Sequence, residues 1–263
     1  MTALDALSPD LFKDRKVLVT GAGRGIGRAV AAAFAALGAD VLAHLGTTER
    51  GGVADVFPEL SEGARGRISM MTADLAAIAG AEAVIAAIEA ELGGLDILVN
   101  NAGTMHGRVM ASDMTAEHYA RVVDLNARSV ALITSGAIPH LARSGAAAIV
   151  NTSSISATTG GSPGSSLYSA AKAFVSTYTR SMARELAPLG IRVNAVSPGT
   201  IMTDFHRRYS TPEKLEGAVK TIPLGRLGTP EDCVGPTLFL ACGALSGYVT
   251  GQVLEINGGQ LMG

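Results

Sequence analysis

The amino-acid sequence is poor in the residues that mark several classes of protein. Its 263 residues include no tryptophan, two cysteines and 17% charged residues, with a formal net charge of −2 at pH 7. Cys233 and Cys242 are too few for a disulfide framework and lack metal-site spacing, so we expect both to be reduced packing residues. The negative net charge and the scattered lysine and arginine residues argue against nucleic acid as the main partner.

The sequence also lacks the segments typical of membrane and secreted proteins. No uninterrupted apolar run approaches the roughly 20 residues that span a bilayer, and the richest candidate, residues 129–142, is interrupted by Pro139 and His140. The first residues include Asp5, Asp10 and Asp14 and do not place a basic region before an apolar one. We therefore predict no secretory signal and expect a cytoplasmic enzyme.

Short β-branched segments alternate with longer alanine-rich segments along the whole chain. This alternation predicts one domain over residues 1–263, an α/β fold with a mostly parallel sheet covered by helices on both faces. The predicted strands are 16–20, 41–45, 67–72, 95–99, 148–152, 191–196 and 253–256. The predicted helices are 26–37, 78–92, 116–141, one that carries Tyr168 and ends near 189, and one that starts near Pro230 with Thr229 as its N-cap. Residues 203–223 are predicted to be an irregular flap over a site.

The most specific chemical pattern is the pair Tyr168 and Lys172. Residues four apart share one face of a helix, so the lysine ammonium is expected beside the phenol. Lowering the pKa of a tyrosine by about three units needs roughly 4 kcal/mol, which a nearby cation in a partly dry site can supply. The pair therefore predicts a general acid/base. By chance alone, the same spacing usually means a solvated lysine beside a half-buried ring.

A glycine-rich loop, Thr20–Gly27, lies between the first predicted strand and the first predicted helix. Glycines at this place allow a tight turn and a close backbone approach to a pyrophosphate at the helix N-terminus. Farther along are Asn100-Asn101-Ala102-Gly103, Ser154, the Tyr168–Lys172 pair and Pro198-Gly199. In this order and spacing, the motifs resemble the short-chain dehydrogenase/reductase family, from about Lys16 to Asn257-Gly258-Gly259.

The resemblance implies a Rossmann-type, doubly wound, seven-stranded parallel sheet, a nicotinamide cofactor and a homotetramer. It implies hydride transfer between the cofactor and a carbonyl or secondary alcohol of a small molecule. Tyr168 would be the general acid/base, Ser154 would bind the substrate oxygen, Lys172 would bind the ribose, and Asn126 would hold a water that links the lysine to solvent. Implied cofactor-binding residues are Gly21, Arg24, Gly25, Ile26, Gly27, Asp74, Leu75, Asn101, Ala102, Gly103, Tyr168, Lys172, Pro198, Gly199, Ile201 and Thr203. It implies no metal.

The end of the second predicted strand bears on the choice of cofactor. NAD-dependent relatives often carry an acidic residue there, whereas this chain has Leu45. Arg24 precedes the second glycine of the loop, and Arg50 follows Leu45 closely, so both are candidates for a 2′-phosphate. We expect NADP(H) to be favoured, with NAD(H) as the alternative.

The substrate is left open by the sequence. His106, Arg108, His206 and Arg207 suit a sugar, a polyol or a hydroxy acid. Equally, an apolar and adaptable pocket could be lined by Met105, Met110, Met202 and Met262. Relatives with the same C-terminal pattern include 3-oxoacyl-carrier-protein reductases, whose acidic carrier needs a basic docking patch. This chain has Leu189 where those enzymes often have a basic residue, so an acyl carrier protein is an alternative partner but not the favoured one. A non-catalytic nucleotide sensor is a distant alternative, because it could dispense with Tyr168 and Lys172.

Overall fold

The computed structural model describes residues 10–262. Its strands are β1 (Lys16–Thr20), β2 (Asp40–His44), β3 (Ile68–Met71), β4 (Ile97–Asn100), β5 (Ala148–Thr152), β6 (Arg192–Pro198) and β7 (Val253–Ile256). Its α-helices are α1 (Gly25–Ala36), α2 (Val53–Val56), α3 (Glu62–Arg65), α4 (Ile78–Ala87), α5 (Ala116–Val123), α6 (Ser129–Leu141), α7 (Ser156–Thr159), α8 (Ser166–Leu186), α9 (Asp204–Tyr209), α10 (Pro212–Thr221), α11 (Val234–Ala241) and α12 (Gly243–Ser246). Short 3₁₀ segments are Ala111–Asp113, Ala187–Leu189 and Pro230–Cys233, and π-helical segments are Ile88–Leu92 and Asp124–Arg128.

All seven strands form one parallel sheet in the order β3-β2-β1-β4-β5-β6-β7. The predicted seven-stranded, doubly wound fold is confirmed. The chain builds outward from β1 to β3 and then returns to the other side of β1 to form β4. In such sheets, ligands bind outside the carboxyl ends of the strands at the point where this order reverses. Here that point lies between β1 and β4.

Alternate residues of the strands supply two separate apolar layers. Val17 and Val19 of β1 pack on the layer that contains Phe34 of α1, whereas Leu18 packs on the opposite layer. Side chains in a strand alternate between the two faces, and helices cover both faces here, so the three central positions of β1 are all apolar. The two layers hold the strand ends, and the loops that follow them, in a fixed arrangement.

The segment 203–223 differs from its prediction as irregular structure. It contains α9 and α10, because Thr211 accepts a hydrogen bond at Oγ1 from the Lys214 N–H (3.3 Å) and Pro212 occupies the first turn of α10. Proline is well tolerated in the first turn of a helix, where its missing N–H would have no partner. The prolines therefore bound a helix instead of marking a loop.

The other predicted elements shift by one to a few residues at their ends. The long helix predicted from Ala116 to Leu141 runs through the π-segment Asp124–Arg128, and Pro139 lies in its last turn. Cys233 and Cys242 are free and buried, as expected. Within residues 10–262, no helix combines the length and the apolar character needed to cross a membrane. The predicted absence of a secretory signal concerns the N-terminal residues, of which 1–9 lie outside the described part.

Candidate active site

A cleft of about 1130 Å³ opens at the carboxyl ends of the strands. Its walls are the glycine loop, the segment after β4, the end of β5, the first half of α8, and the helices α9 and α10. All the residues predicted to bind cofactor line this cleft, and so do Ser154, Tyr168 and Lys172. Asn126 is fully buried behind it. The fold thus brings the predicted set together, while the role of each residue stays a prediction.

The glycine loop has the backbone shape that its sequence predicts. Gly21 and Gly25 have φ of +69° and +55°, in the left-handed region that favours glycine. The side-chain amide of Asn101 donates hydrogen bonds to the carbonyl oxygens of Thr20 (2.9 Å) and Gly21 (3.2 Å). A Cβ on Gly27 would collide with that amide. Asn101 therefore holds the loop at the N-terminus of α1, where free N–H groups can receive a pyrophosphate.

His44 is a site residue that sequence reasoning missed. Its ring is 2% exposed and bridges two cofactor-binding segments. Nδ1 accepts a hydrogen bond from the Gly21 N–H (3.2 Å), and Nε2 lies 3.0 Å from the carbonyl oxygen of Ala73, next to Asp74. This pattern requires a neutral ring protonated on Nε2, and burial lowers the pKa of His44 accordingly. The only signal in the sequence is a histidine in an otherwise apolar strand.

Three arginines, Arg24, Arg50 and Arg208, lie at the nucleotide end of the cleft. Burial, followed by the charges of Arg208 and Arg50, lowers the pKa of Arg24, and Asp204 at 3.7 Å opposes this effect. Arg50 Nε is buried without a hydrogen-bond partner among the described residues, close to Gly23 of the loop. An anion placed among these cations would relieve their mutual repulsion.

Tyr168 and Lys172 occupy one face of α8, as their spacing predicts. Lys172 is 3% exposed, and its Nζ donates to the Thr152 carbonyl (2.7 Å) and lies 5.8 Å from the centre of the Tyr168 ring. Burial raises the pKa of Tyr168 to about 12, partly opposed by a hydrogen bond with Ser154. Burial also lowers the pKa of Lys172 to about 8.

The direction of the Tyr168 pKa shift in this structure is opposite to the predicted lowering. Burial disfavours the phenolate, while Lys172 Nζ donates to the Thr152 carbonyl. At neutral pH the phenol keeps its proton and is ready to donate it.

Two neighbouring serines, Ser153 and Ser154, have different surroundings. The Ser153 hydroxyl is buried and bonds to the Lys172 carbonyl (3.1 Å) and the Ser176 hydroxyl (2.6 Å). The Ser154 hydroxyl instead accepts from the Ser156 N–H (3.2 Å) and hydroxyl (2.8 Å), and it lines the cleft together with Tyr168, whose pKa it helps to lower. Ser154 is thus the serine placed to share a substrate oxygen with Tyr168.

Asn126 and Lys172 lie on either side of Gly103. A Cβ on Gly103 would come within 2.6 Å of Asn126 Oδ1 and 3.2 Å of Lys172 Nζ. The Asn126 amide donates to the Thr104 and Val122 carbonyls, both at 2.8 Å, whereas Oδ1 is buried with no partner among the described residues. The asparagine sits in the π-segment that interrupts the long helix, and such segments are frequent at functional sites.

Helix α9 covers the cleft above Tyr168. The ring of Phe205 lies 5.4 Å from the Tyr168 ring, and the Tyr209 hydroxyl lies 3.2 Å from Thr104 Oγ1. Arg108 fastens the same helix, because its Nε donates to the Tyr209 carbonyl (3.0 Å) and its NH1 to the Pro163 carbonyl (3.1 Å). These contacts describe a flap, residues 203–221, closed over the site.

Comparisons with known proteins agree with this geometry. A family model described as enoyl-(acyl carrier protein) reductase matches residues 21–260. The chain is 36% identical over 249 residues to a 3-oxoacyl-[acyl-carrier-protein] reductase of Chlamydia muridarum, covering 95% of this chain and 98% of that protein. It is 39% identical over 253 residues to L-rhamnose 1-dehydrogenase (NAD(P)(+)) of Azotobacter vinelandii, covering 95% and 97%.

A solved structure of a reductase is similar to this chain along its whole length. The NADH-dependent reductase A1-R′, crystallised with NAD, superimposes with a TM-score of 0.83 at 32% identity and with full coverage of both chains.

Proposed function

The chain belongs to the short-chain dehydrogenase/reductase family, and from that premise we propose that Tyr168, Ser154, Lys172 and Asn126 form its catalytic centre. The family activity is hydride transfer between a nicotinamide cofactor and a carbonyl or secondary alcohol of a small molecule. The observation that carries the assignment is that Tyr168, Ser154 and buried Lys172 line one cleft at the switch point of the sheet.

The residues present fit a nicotinamide dinucleotide. Side chains at Gly21 or Gly27 would collide with the segment that follows β4, so glycine at these positions lets the loop pack closely against it. The N-terminus of α1 can then receive a pyrophosphate. The bound nicotinamide accepts or supplies the hydride. In the reductive direction the Tyr168 hydroxyl gives its proton to the substrate oxygen, and the Ser154 hydroxyl hydrogen-bonds that oxygen. In the oxidative direction the same proton returns to Tyr168.

After Tyr168 has given its proton to the substrate oxygen, it must receive another proton from solvent. Asn126 Oδ1 and Lys172 Nζ flank Gly103 closely enough for one water molecule to join them. We assign Asn126 the task of holding that water, which would connect Lys172 to solvent. The unpartnered Oδ1 supports this assignment, because a buried carbonyl oxygen normally has a partner.

Substitution of the tyrosine tests the catalytic centre. We expect Tyr168→Phe to lower kcat at least 100-fold, since positioned proton transfer contributes about 10² to 10⁴, while the fold survives. Lys172→Ala is expected to lower kcat similarly and to raise the cofactor KM. The matched control is Tyr119→Phe, at a tyrosine that is 52% exposed on α5. Near-normal turnover by purified Tyr168→Phe protein would refute the assignment.

NADP(H) is the cofactor that we propose as preferred. Support comes from Arg24, Arg50 and Arg208 in the cleft, and from the buried, unpartnered Arg50 Nε. No acidic residue stands at Leu45, so nothing at that position would repel a 2′-phosphate.

Kinetics with both cofactors test this preference. Arg24→Ala should lower kcat/KM with NADP at least tenfold and change it much less with NAD, because only NADP carries the extra phosphate. Arg65→Ala, on α3 outside the cleft, is the control. A wild-type preference for NAD of tenfold or more would contradict the proposal.

Among substrates, we favour small-molecule alcohols and carbonyls over an acyl carrier protein. Leu189 is 46% exposed where a basic docking residue would help, and Arg143 is already paired with Glu89 at 3.3 Å. The similarity to an acyl-carrier-protein reductase supports an acyl carrier protein as the alternative partner. Reduction of an acetoacetyl thioester at a rate that exceeds all small carbonyls would favour it. A pure nucleotide sensor would show no turnover with any substrate.

We also propose a homotetramer located in the cytoplasm. Exposed apolar side chains on α8 and near the C-terminus support an assembly, and two buried free cysteines are compatible with a reducing compartment.

A further inference from the structure

The part of the cleft beside the flap is unusually rich in positive charge for a protein of net charge −2. Arg108, which is bonded to the flap residue Tyr209, and Lys214 of α10 both line it. Of the carboxylates among residues 10–262, Asp74 and Asp204 are the ones that line the cleft. Asp204 is engaged by Arg24 (3.7 Å) and Arg207 (3.2 Å), and Asp74 accepts the Ala76 N–H (2.9 Å).

Arg108 is held in place by neutral groups only. Its Nε and NH1 donate to the carbonyls of Tyr209 and Pro163, which fixes the guanidinium between the flap and the loop before α8. Within the described part of the chain, no carboxylate lies within 4.0 Å of Arg108 or Lys214. A fixed guanidinium loses little freedom when it binds an anion, and its remaining N–H groups can receive one.

Arg108 and Lys214 are close enough to repel each other, and both act on the neighbouring His206. The charge of Arg108 helps burial to lower the pKa of Lys214, and Lys214 and Arg108 both help burial to lower the pKa of His206. Uncompensated cations that converge in a cleft are stabilised by an anion from outside.

This subsite adjoins the proposed catalytic centre. Phe205 precedes His206 in α9 and packs on Tyr168 with ring centres 5.4 Å apart. Arg108 and Lys214 line the same cleft as Tyr168, so one molecule in the cleft can meet both the cations and Tyr168. Since the nucleotide end has its own arginines at Arg24 and Arg50, the cofactor phosphates are already provided for.

We propose that the substrate is a small hydroxy or oxo acid whose carboxylate is bound by Arg108 and Lys214. The inference rests on the proposed function and adds the chemical class of the substrate. The redox step is unchanged: Tyr168 first releases its own proton toward solvent past Lys172, the carbinol carbon then gives a hydride to the nicotinamide, and its hydroxyl gives a proton to the Tyr168 phenolate. The carboxylate takes no part in the bond changes.

Matched substrate pairs test the proposal with the intact enzyme. D-gluconate and D-glucitol have the same carbon chain and differ only in a carboxylate or a hydroxymethyl group at C1. The pairs galactonate–galactitol and mannonate–mannitol vary the stereochemistry. With saturating NADP or NAD, we expect kcat/KM to be at least tenfold higher for the acid of the pair that is turned over.

Two variants on α10 test whether Lys214 causes the preference for the acid. Lys214→Gln is expected to raise KM for the acid about tenfold and to leave kcat/KM for the neutral partner within twofold. Lys220→Gln removes an exposed lysine of the same helix that does not line the cleft, and should change neither value. Arg108→Gln should have the same selective effect, with an added loss for both substrates because Arg108 also fastens the flap.

The neutral member of each pair distinguishes a failure of the carboxylate subsite from a failure of the proposed function. Oxidation of an alditol at least as efficient as that of its acid would overturn the carboxylate subsite and leave the proposed function standing. An acid preference that Lys214→Gln and Lys220→Gln reduce equally would also overturn the subsite. No turnover of any pair, or of neutral carbonyls in the reverse direction, would overturn the proposed function and this inference together.

Discussion

Burial decides the chemistry of the individual residues at this site. Tyr168 and Lys172 are four residues apart, which places them on one face of α8 whatever surrounds them. Their pKa values depend on the water that the fold removes, and that removal raises the pKa of Tyr168 to about 12 and lowers the pKa of Lys172 to about 8. The neutral phenol is the form that donates a proton in the reductive direction, and the phenolate is the form that accepts one in the oxidative direction.

A prediction at the residue scale concerns His44. His44→Leu removes both of its hydrogen bonds and leaves the Gly21 N–H and the Ala73 carbonyl without this partner. We expect a loss of about 1–3 kcal/mol in the free energy of unfolding. We also expect about a tenfold rise in KM that is alike for NAD and NADP, with kcat nearly unchanged. Urea denaturation and cofactor kinetics measure the two effects.

Two conservative variants divide the bridge into its halves. His44→Asn keeps an acceptor near the position of Nδ1, and His44→Gln keeps a donor near the position of Nε2. If His44 positions the glycine loop through Gly21, the asparagine variant should restore cofactor KM better than the glutamine variant. Equal KM values for leucine, asparagine and glutamine variants would show that His44 acts only through packing.

At the scale of elements, the flap depends on a few polar contacts as well as on ring packing. Helices α9 and α10 are short, and they are joined to the rest of the site by Tyr209, Arg108 and Phe205. Elements held by few buried contacts open more readily than the core. A flap of this kind can admit a substrate and then close over it.

The flap should respond to pH through His206. In the closed flap, burial and the charges of Lys214 and Arg108 lower the pKa of His206 to about 4. In water a histidine titrates near pH 6.5. The closed state is therefore fully favoured above about pH 6.5, and its stability falls as the pH drops from there toward 4, because the open state takes up a proton first.

A single fluorescent reporter can follow this opening. The protein contains no tryptophan, so Leu215→Trp on α10 would give the only tryptophan signal. We expect its emission to shift to longer wavelength between pH 7 and pH 5. Adding His206→Asn, which keeps an acceptor for the Ser210 hydroxyl, should abolish the shift. An unchanged shift in the double variant would assign the pH response to another group.

At the scale of the whole molecule, exposed apolar side chains indicate where copies meet. Phe174 on α8 is 42% exposed and stacks on Tyr178 with ring centres 5.4 Å apart. Near the C-terminus, Leu245 is 48% exposed and Tyr248 is fully exposed. Aromatic groups of this size are more often found at interfaces than in contact with water.

The prediction at this scale is that Phe174→Glu breaks the proposed tetramer. A buried carboxylate at an apolar contact would be unpaired and costly, so the mass measured by light scattering should fall below that of four chains. Activity should fall with it, because α8 also carries Tyr168. Ile78→Glu is the control, since Ile78 is 55% exposed on α4. A wild-type mass of one chain would contradict the proposed assembly.

The strand and helix pattern was largely predictable because each element carries its own signal. Val17 and Val19 face one layer and Leu18 the other, so the apolar run of β1 already indicates a strand buried on both faces. The segment 203–223 was not predictable in the same way. Its charged and aromatic residues are typical of a loop. The N-cap Thr211 and Pro212 in the first turn are signals for α10 alone.

The sequence by itself determined the parallel α/β order, the glycine loop and the helical spacing of Tyr168 and Lys172, since these follow from local backbone preference and side-chain periodicity. The tertiary structure decided what depends on contacts between distant segments. It separated Ser154 from Ser153, joined His44 to Gly21 and Ala73, reversed the expected pKa shift of Tyr168, and brought Arg108 and Lys214 into the same cleft as Tyr168. Electrostatics and desolvation depend on which groups meet and how much water they lose, and local sequence does not contain that information.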